Sequence, residues 1–462
     1  VTVNRQERSE KAKKARELAA DLATKGVVAV AVTWVDTSGV TRVKAIPVQR
    51  LEHAAIWGIG ASPTFDVLLI DGSIVAGKYV DGPAGDLRLL PDLDHVIVLA
   101  AQPGWAWAPA DRYDQEGVAH PGDPRILARG VVNQLAALGY SARIAFEVEW
   151  WVSIGESDEF RPPLSGPAYG MIRLTQLSDY LGDLLKMLAS QGISVDQLHP
   201  EDGQGQYEIS FAAQDPVRAA DTLVVVCQTI RALSRNYGLR ASFAPMMTVG
   251  GEGNGRHVHL SLWRDNTNVM AGGPGHYGLT GVGEAFIGGI LARLPALLAI
   301  GAPSVVSYLR LIPSHWAGAF ACWGLENREA ALRFITGELG RRAEAANLEV
   351  KCFDAAANPY LVVAGLLAAG MAGLSENATL PEPISVDPGS LDPDELTTMG
   401  ISALPSSLAE TLAAFESDSA SALHKAFGKE LVDAIIAVRR GEVALFDGAT
   451  DQEIIERTRW KY

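Results

Sequence analysis

The chain has 462 residues, enough for about three folding units and for large cores that need no disulfide or structural metal. Its 39 Lys and Arg against 54 Asp and Glu give a formal charge of −15, which argues against a nucleic-acid-binding surface and against docking on an anionic membrane. An apolar share of 48% and a charged share of 20% exclude a disordered chain and fit a globular one.

Residues 9–25 predict an exposed amphipathic helix ending near Gly26. The N-terminus lacks an apolar signal core, so no secretion signal is expected. Residues 27–35 are a dense β-type run, Asp36-Thr-Ser-Gly39 supplies a turn, and residues 41–46 resume the strand as a hairpin. Further short strands are expected around 65–70, 74–80 and 95–101. Residues 1–110 therefore read as a small α+β domain with a mixed sheet, and the Gly/Pro/Asp-rich stretch 103–124 as a linker.

Beyond it, a helix is predicted near 125–138. Strands follow at 141–152, 207–211, 242–247, 257–262 and 349–353, with helices at 215–237 and 281–298 between them. The uncharged run 355–375 reads as a buried helix rather than a membrane span. Residues 376–404 resemble a surface excursion, and 408–460 read as helices with charged faces. Cys227, Cys322 and Cys352 are far apart and form no CxxC, so neither a zinc knuckle nor a disulfide framework is expected; the pattern fits a reducing cytoplasm.

Four segments carry chemistry. In Phe146-Glu-Val-Glu-Trp150, Glu147 and Glu149 project from one strand face inside an apolar run. Two neighbouring carboxylates repel, and burial adds to the penalty; a cation offsets both, whereas the alternative is a solvated strand face. A glycine-punctuated loop then runs from Glu201 to Glu208, with a plain loop acid and edge-strand acid as the alternative. After a third, glycine-rich loop (250–255), His257, His259 and Ser261 share a strand face, a pairing suited to metal and phosphate contacts. Last come Asn327-Arg328, Arg333 and Glu349-Val-Lys351: the arginines can clamp phosphate oxygens, unless they form surface ion pairs.

Oxygen-dominated ligation suits Mg²⁺ or Mn²⁺ over zinc, and two such ions beside Arg and Lys fit phosphoryl transfer. Gly72-Ser-Ile-Val-Ala-Gly-Lys78 imitates a phosphate loop, but Tyr79 stands where Ser or Thr should bind Mg²⁺.

The order of motifs resembles the glutamine synthetase family across nearly the whole chain. The E-x-E, G-Q-x-E, F-x-P (Phe243–Pro245) and H-x-H strands come first. The S-Y-x-R-L-x-P segment (Ser307–Pro313), Asn327-Arg328 and Asn358-Pro-Tyr360 follow in family order. The resemblance implies an α+β fold. A small N-terminal β-grasp domain (1–110) would precede a large C-terminal catalytic domain (120–462) with an antiparallel sheet flanked by helices. It also implies a homo-oligomer, commonly a dodecamer of two hexameric rings with active sites between subunits.

By the same resemblance, Glu149, Glu201 and Glu208 would hold one Mg²⁺ or Mn²⁺, and Glu147, His257 and Glu349 a second that also contacts ATP. His259, Ser261 and Arg333 would contact the nucleotide. Arg328 would stabilise the transferred phosphoryl group, Lys351 would replace a family arginine, and Gly253 and Arg310 would bind glutamate. Either Asp66 or Asp71 would be lent to a neighbouring subunit's site.

Three departures shape the expected reaction. Trp316 stands where ammonium-using members carry a glutamate on the flap over the substrate, offering an apolar or cation–π wall instead. Glu252 replaces an asparagine of the glycine loop, and Arg256 an apolar residue. Both are candidates for substrate binding. No adenylylation-tyrosine segment is found; the corresponding region is 381–404.

The expectation is an ATP-dependent carbon–nitrogen ligase joining glutamate to an organic amine of catabolism through γ-glutamyl phosphate. Ethanolamine is the leading amine, because a polyamine would favour more acids and Trp316 is one acid fewer. Isopropylamine, aniline and polyamines stay open. The rivals are an ammonium-dependent glutamine synthetase and a non-catalytic family member.

Overall fold

Backbone hydrogen bonding divides the strands between two sheets. The computed structural model describes residues 5–80, 82 and 84–462. A helix, Arg5–Thr24, opens the chain and packs on a six-stranded sheet. Its strands are β1 (Ala29–Val35), β2 (Thr41–Pro47), β3 (Ile59–Ala61), β4 (Leu87–Pro91), β5 (Ile97–Val98) and β6 (Trp105–Tyr113). The order is β2-β1-β6-β4-β3, with β5 on β6; β1 and β6 run parallel.

The expected hairpin is β1–β2, but the expected linker is not one. Residues 105–113 form β6 at the centre of the sheet, where Trp107 is buried and donates Nε1–H to Thr33 Oγ1 at 2.7 Å. Pro109 is tolerated because it falls at the last residue paired with β1. Strands expected at 65–70 and 74–80 are absent as ladders. A short 3₁₀ turn, Pro63–Val67, and one isolated Leu68–Ile74 bridge stand there instead.

The second sheet has ten strands: β7 (Ser141–Ile154), β8 (Val195–Pro200), β9 (Gln206–Phe211), β10 (Leu239–Ser242), β11 (Val258–Arg264), β12 (Thr267–Asn268), β13 (Phe320–Leu325), β14 (Ala330–Ile335), β15 (Asn347–Val350) and β16 (Ser402–Ala403). The main path is β16-β13-β14-β15-β11-β7-β9-β8. Only β13 and β14 pair in parallel within it. The strand expected at 242–247 lies earlier, at β10, and the chain leaves the sheet at Phe243. The supposed excursion 376–404 returns β16 to the edge and buries Ile384.

Helices cover this sheet. Asp123 and Asp215 cap the helices Pro124–Ala137 and Pro216–Asn236, each with proline at the first turn. Asn358 caps Pro359–Glu376 and also donates Nδ2–H to the carbonyls of Val35 and Asp36 at 3.1 and 3.0 Å, tying the hairpin to the core. Helices Gly281–Gly301 and Pro359–Glu376 are long and apolar enough to span a membrane, yet both are mostly buried against each other. Their axes approach at Gly289 and Gly373: a Cβ on Gly373 would lie 2.1 Å from the carbonyl oxygen of Ala285.

Candidate active site

Strand register brings the predicted residues together. Glu149 of β7 lies directly opposite Glu208 of β9, and Glu208 opposite His199 of β8. On the other side of β7, His259 of β11 faces Glu349 of β15, which faces Arg333 of β14. Alternation then places Glu147, Glu149, His257, His259 and Ser261 on one face, lining a cleft of about 1380 Å³. Like charges directly opposite each other destabilise a sheet, so the Glu149–Glu208 pairing has no structural merit of its own.

Three groups of donor atoms lie within 4.8 Å of one another: Glu147, His259 and Glu349; Glu147, Glu208 and His257; and His199, Glu201 and Glu208. Burial, then repulsion from Glu208, pushes Glu149 up to about 7. Burial, then Glu149 and Glu208, raises Glu201 to about 7. The Glu208 hydrogen bond in turn raises His199 to about 9. Three carboxylates thus converge with one imidazole between them, at 3.3 Å from Glu201 and 3.1 Å from Glu208. That donor set fits an oxygen-rich divalent cation.

The other half is better compensated. Burial opposes ionisation of Glu147, but His259 and His257 hold it well below the ordinary range. Burial likewise opposes ionisation of Glu349, which Lys351 and His259 hold down. Burial and Lys351 depress His257, whereas Glu147 overcomes burial and raises His259 to about 9. His257 Nδ1 lies 3.1 Å from Glu147 and 3.3 Å from Glu349. His259 Nε2 stands 3.1 Å from Glu147, and its Nδ1 lies 2.9 Å from Asn347 Oδ1.

Cations ring the cleft. Arg333 donates to Glu349 at 2.9 Å and Lys351 Nζ lies 3.3 Å from the same carboxylate. Arg310 is buried, donates to the Lys351 carbonyl at 3.2 Å and leaves its other terminal nitrogen without a partner. Gly253 and Gly255 permit this approach: a Cβ on Gly253 would lie 2.5 Å from Arg310 Cγ. Arg328 lines the cleft, exposed. Ser261 accepts from Trp263 Nε1 at 2.8 Å.

The flap carries Ser314 and Trp316, both at positive φ (59° and 55°), which non-glycine residues rarely adopt. Trp316 is 58% exposed at the cleft mouth. Its backbone N–H donates to Glu329 at 2.7 Å, and Ser314 Oγ donates to Asp387 at 2.7 Å. Glu252 also lines the mouth, exposed.

Three candidates lie elsewhere. Arg256 precedes His257 and so points to the opposite side of the strand, into a second cavity. Asp66 is buried between Arg112 and His120. Asp71 sits on an exposed turn, accepting from Ser73 at 2.9 Å.

Several cleft residues went unread in the sequence. His199 is two residues before Glu201, the same alternation that exposed the other pairs. Buried Arg173 donates to the carbonyls of Glu201, Asp202 and Gly203 at 2.7–2.8 Å and shapes the acid-bearing loop. Tyr169 donates to Glu201 at 3.0 Å. Neither carries a motif signal.

Paired acids and histidines on one sheet face, ringed by arginines, define a ligase that handles phosphate. The chain belongs to the glutamine synthetase family: residues 121–458 match the family's catalytic domain. Family enzymes use ATP and divalent metals. A gamma-glutamylpolyamine synthetase from Streptomyces coelicolor is 51% identical over 97% of both chains. A glutamine synthetase from Halobacterium salinarum is 28% identical over 94% of this chain and 93% of its own. Among solved structures, one described as a novel glutamine synthase homolog superposes with a TM-score of 0.84 at 32% identity, covering 94% of this chain and 99% of that one. A GmaS–ADP complex gives 0.82 at 26% identity, covering 94% and 97%.

Proposed function

We propose that this ligase joins the γ-carboxyl of glutamate to a cationic organic amine, with a polyamine as the amine class. The observation that carries the ligase reading is the convergence of Glu149, Glu201 and Glu208 beside Arg310, Arg328 and Arg333 in one cleft. The polyamine reading replaces the ethanolamine expected from sequence. It is supported by the Streptomyces coelicolor relative's name. Glu329 accepts from the Trp316 backbone N–H at 2.7 Å and fixes the flap from beneath.

In this reading the γ-carboxylate of glutamate attacks the terminal phosphorus of ATP, ADP leaves, and the neutral amine nitrogen then displaces phosphate and loses a proton. Two Mg²⁺ or Mn²⁺ ions, when bound to Glu149, Glu201 and Glu208 and to Glu147, His257 and Glu349, supply charge neutralisation between the anions. Arg310, with its unpartnered nitrogen, holds the α-carboxylate of glutamate beside Gly253. Arg328, Arg333, His259 and Ser261 orient phosphate oxygens. Lys351 keeps Glu349 ionised, and Trp316 closes the mouth against water.

Asp71, exposed on its turn, is the acid we assign to a neighbouring copy's site; Asp66 is held within its own chain. A cytoplasmic homo-oligomer with domains 1–110 and 120–462 belongs to the same proposal. Phosphate release with glutamate, ATP and a panel of putrescine, spermidine, ethanolamine, isopropylamine, aniline and ammonium tests it. A polyamine should give the highest kcat/KM. Ethanolamine leading would restore the compact-amine reading, and ammonium matching every organic amine would make the chain a glutamine synthetase.

A further inference from the structure

A second cavity of about 240 Å³ shares no residue with the cleft. It lies between the β1–β2 turn, the helix Pro216–Asn236 and the C-terminal segment, and its polar lining is Thr41, Cys227, Gln228, Arg231, Arg256, Lys461 and Tyr462, whose carbonyl oxygen accepts from the Phe243 N–H at 3.3 Å. Arg256 is 8% exposed. It donates only to the sulfur of Cys227 at 3.6 Å and to the Ala357 carbonyl at 3.4 Å, and its Nε–H has no partner.

Arg231 is partly buried, with its guanidinium 4.7 Å from the ring centroid of Phe243. Among the described residues it makes no hydrogen bond or ion pair. The two guanidiniums repel each other. The carboxylate that Arg256 feels is Asp354, which forms no ion pair with it and accepts instead from the Ala356 N–H at 2.9 Å. Other buried arginines are better met: Arg112 by Asp66 and Asp123 and Arg125 by Asp111 and Asp221, while Arg173 donates to three backbone carbonyls and Arg439 to two.

Burying one unpaired guanidinium is unfavourable, and placing a second beside it is more so. One oxyanion between them offsets both terms and satisfies the open Nε–H with the planar geometry that arginine presents to phosphate and carboxylate. We propose that this cavity is a second ligand site, binding a small oxyanion of the phosphate or carboxylate class against Arg231 and Arg256. Arg256 is covalently next to His257, so the occupant sits one residue from the metal-binding face while remaining on the other side of the sheet.

Calorimetric titration of the full chain with inorganic phosphate, and separately with glutarate, tests the site. Arg231→Met should weaken one anion-binding event by about tenfold or more, while Arg333→Ala should weaken only the separate phosphate event in the cleft. Phosphate binding alone, or glutarate binding alone, assigns the class. Arg231→Lys keeps the charge and should restore part of the affinity. Crystals grown with selenate should show an anomalous peak between the two guanidiniums. Equal affinity in Arg231→Met, binding of neither anion, or an acidic side chain from a neighbouring copy in the cavity would overturn the proposal.

Discussion

The molecule buries charge in two ways. At the junction of its two sheets, Arg125 is enclosed by Asp92, Asp111 and Asp221 at 2.7–2.9 Å, with Tyr360 donating to Asp221 at 2.7 Å. Every carboxylate there touches a guanidinium, and Asp111 touches a second one on Arg129 at 2.8 Å. In the cleft, Glu149, Glu201 and Glu208 face one another with only His199 between, and two of them are pushed up to about 7. Balanced burial holds the sheets together; unbalanced burial is tolerated where a ligand is to supply the missing charge.

Substitutions on the two sides should therefore behave oppositely. Glu149→Gln should reduce turnover by about 10³-fold, while the metal-free chain melts no lower than the parent because a repulsion has been removed. A lower melting point would show that the acid is structural. Arg125→Ala should do the reverse. It removes the guanidinium shared by three acids and lowers stability by about 3–5 kcal/mol, read by denaturant or thermal melting. Unchanged stability would break the contrast.

Metal binding sharpens it next. Glu149 and Glu201 must lose protons to ligate, so Mn²⁺ affinity should climb as pH rises from 6 to 8, by up to about tenfold per unit for each proton displaced below pH 7 and levelling off above it. Calorimetry in buffers of different ionisation enthalpy reads the proton release directly, and a flat profile would contradict the raised values. Trp316→Glu should raise ammonium turnover by about tenfold relative to the organic amines. Equal effects on all amines would remove Trp316 from selectivity.

The smallest effect belongs to the junction in acid. Burial works against ionisation of Asp92, but hydrogen bonds from His95 and Arg125 outweigh it and hold the carboxyl below its ordinary value of 3.8. A depressed carboxyl contributes stability that is present above the unfolded value and is lost as pH falls through the folded one. Asp92→Asn should flatten the melting temperature below pH 4, and an unaltered acid limb would count against the network.

Alternation explains what was readable. Glu147/Glu149 and His257/His259/Ser261 announce themselves because a strand repeats every two residues, and the structure puts them on one face. The same rule turns Arg256, odd by one, to the far side, so its position was implied by a pattern already in view. His199 and Glu201 follow that rule too, across a proline. β6 was hidden by the Gly, Pro and Asp on either side of Trp105–Tyr113; its strand character comes from partners on both edges, β1 and β4, that no local window contains. Glu329 has no motif, since its role depends on a flap that meets it only in three dimensions.

The glycine-to-glycine approach of Gly281–Gly301 and Pro359–Glu376 bears on how the chain is made. A ribosome delivers the first helix well before the second, and β13, β14 and β15 emerge in the interval. Until Gly289 finds Gly373, an apolar rod of membrane-like character has no cover, in a cell whose targeting and chaperone machinery reads such rods. The hazard to this protein therefore lies in its synthesis, and a bulkier residue at either glycine would act there before it acted on the finished enzyme.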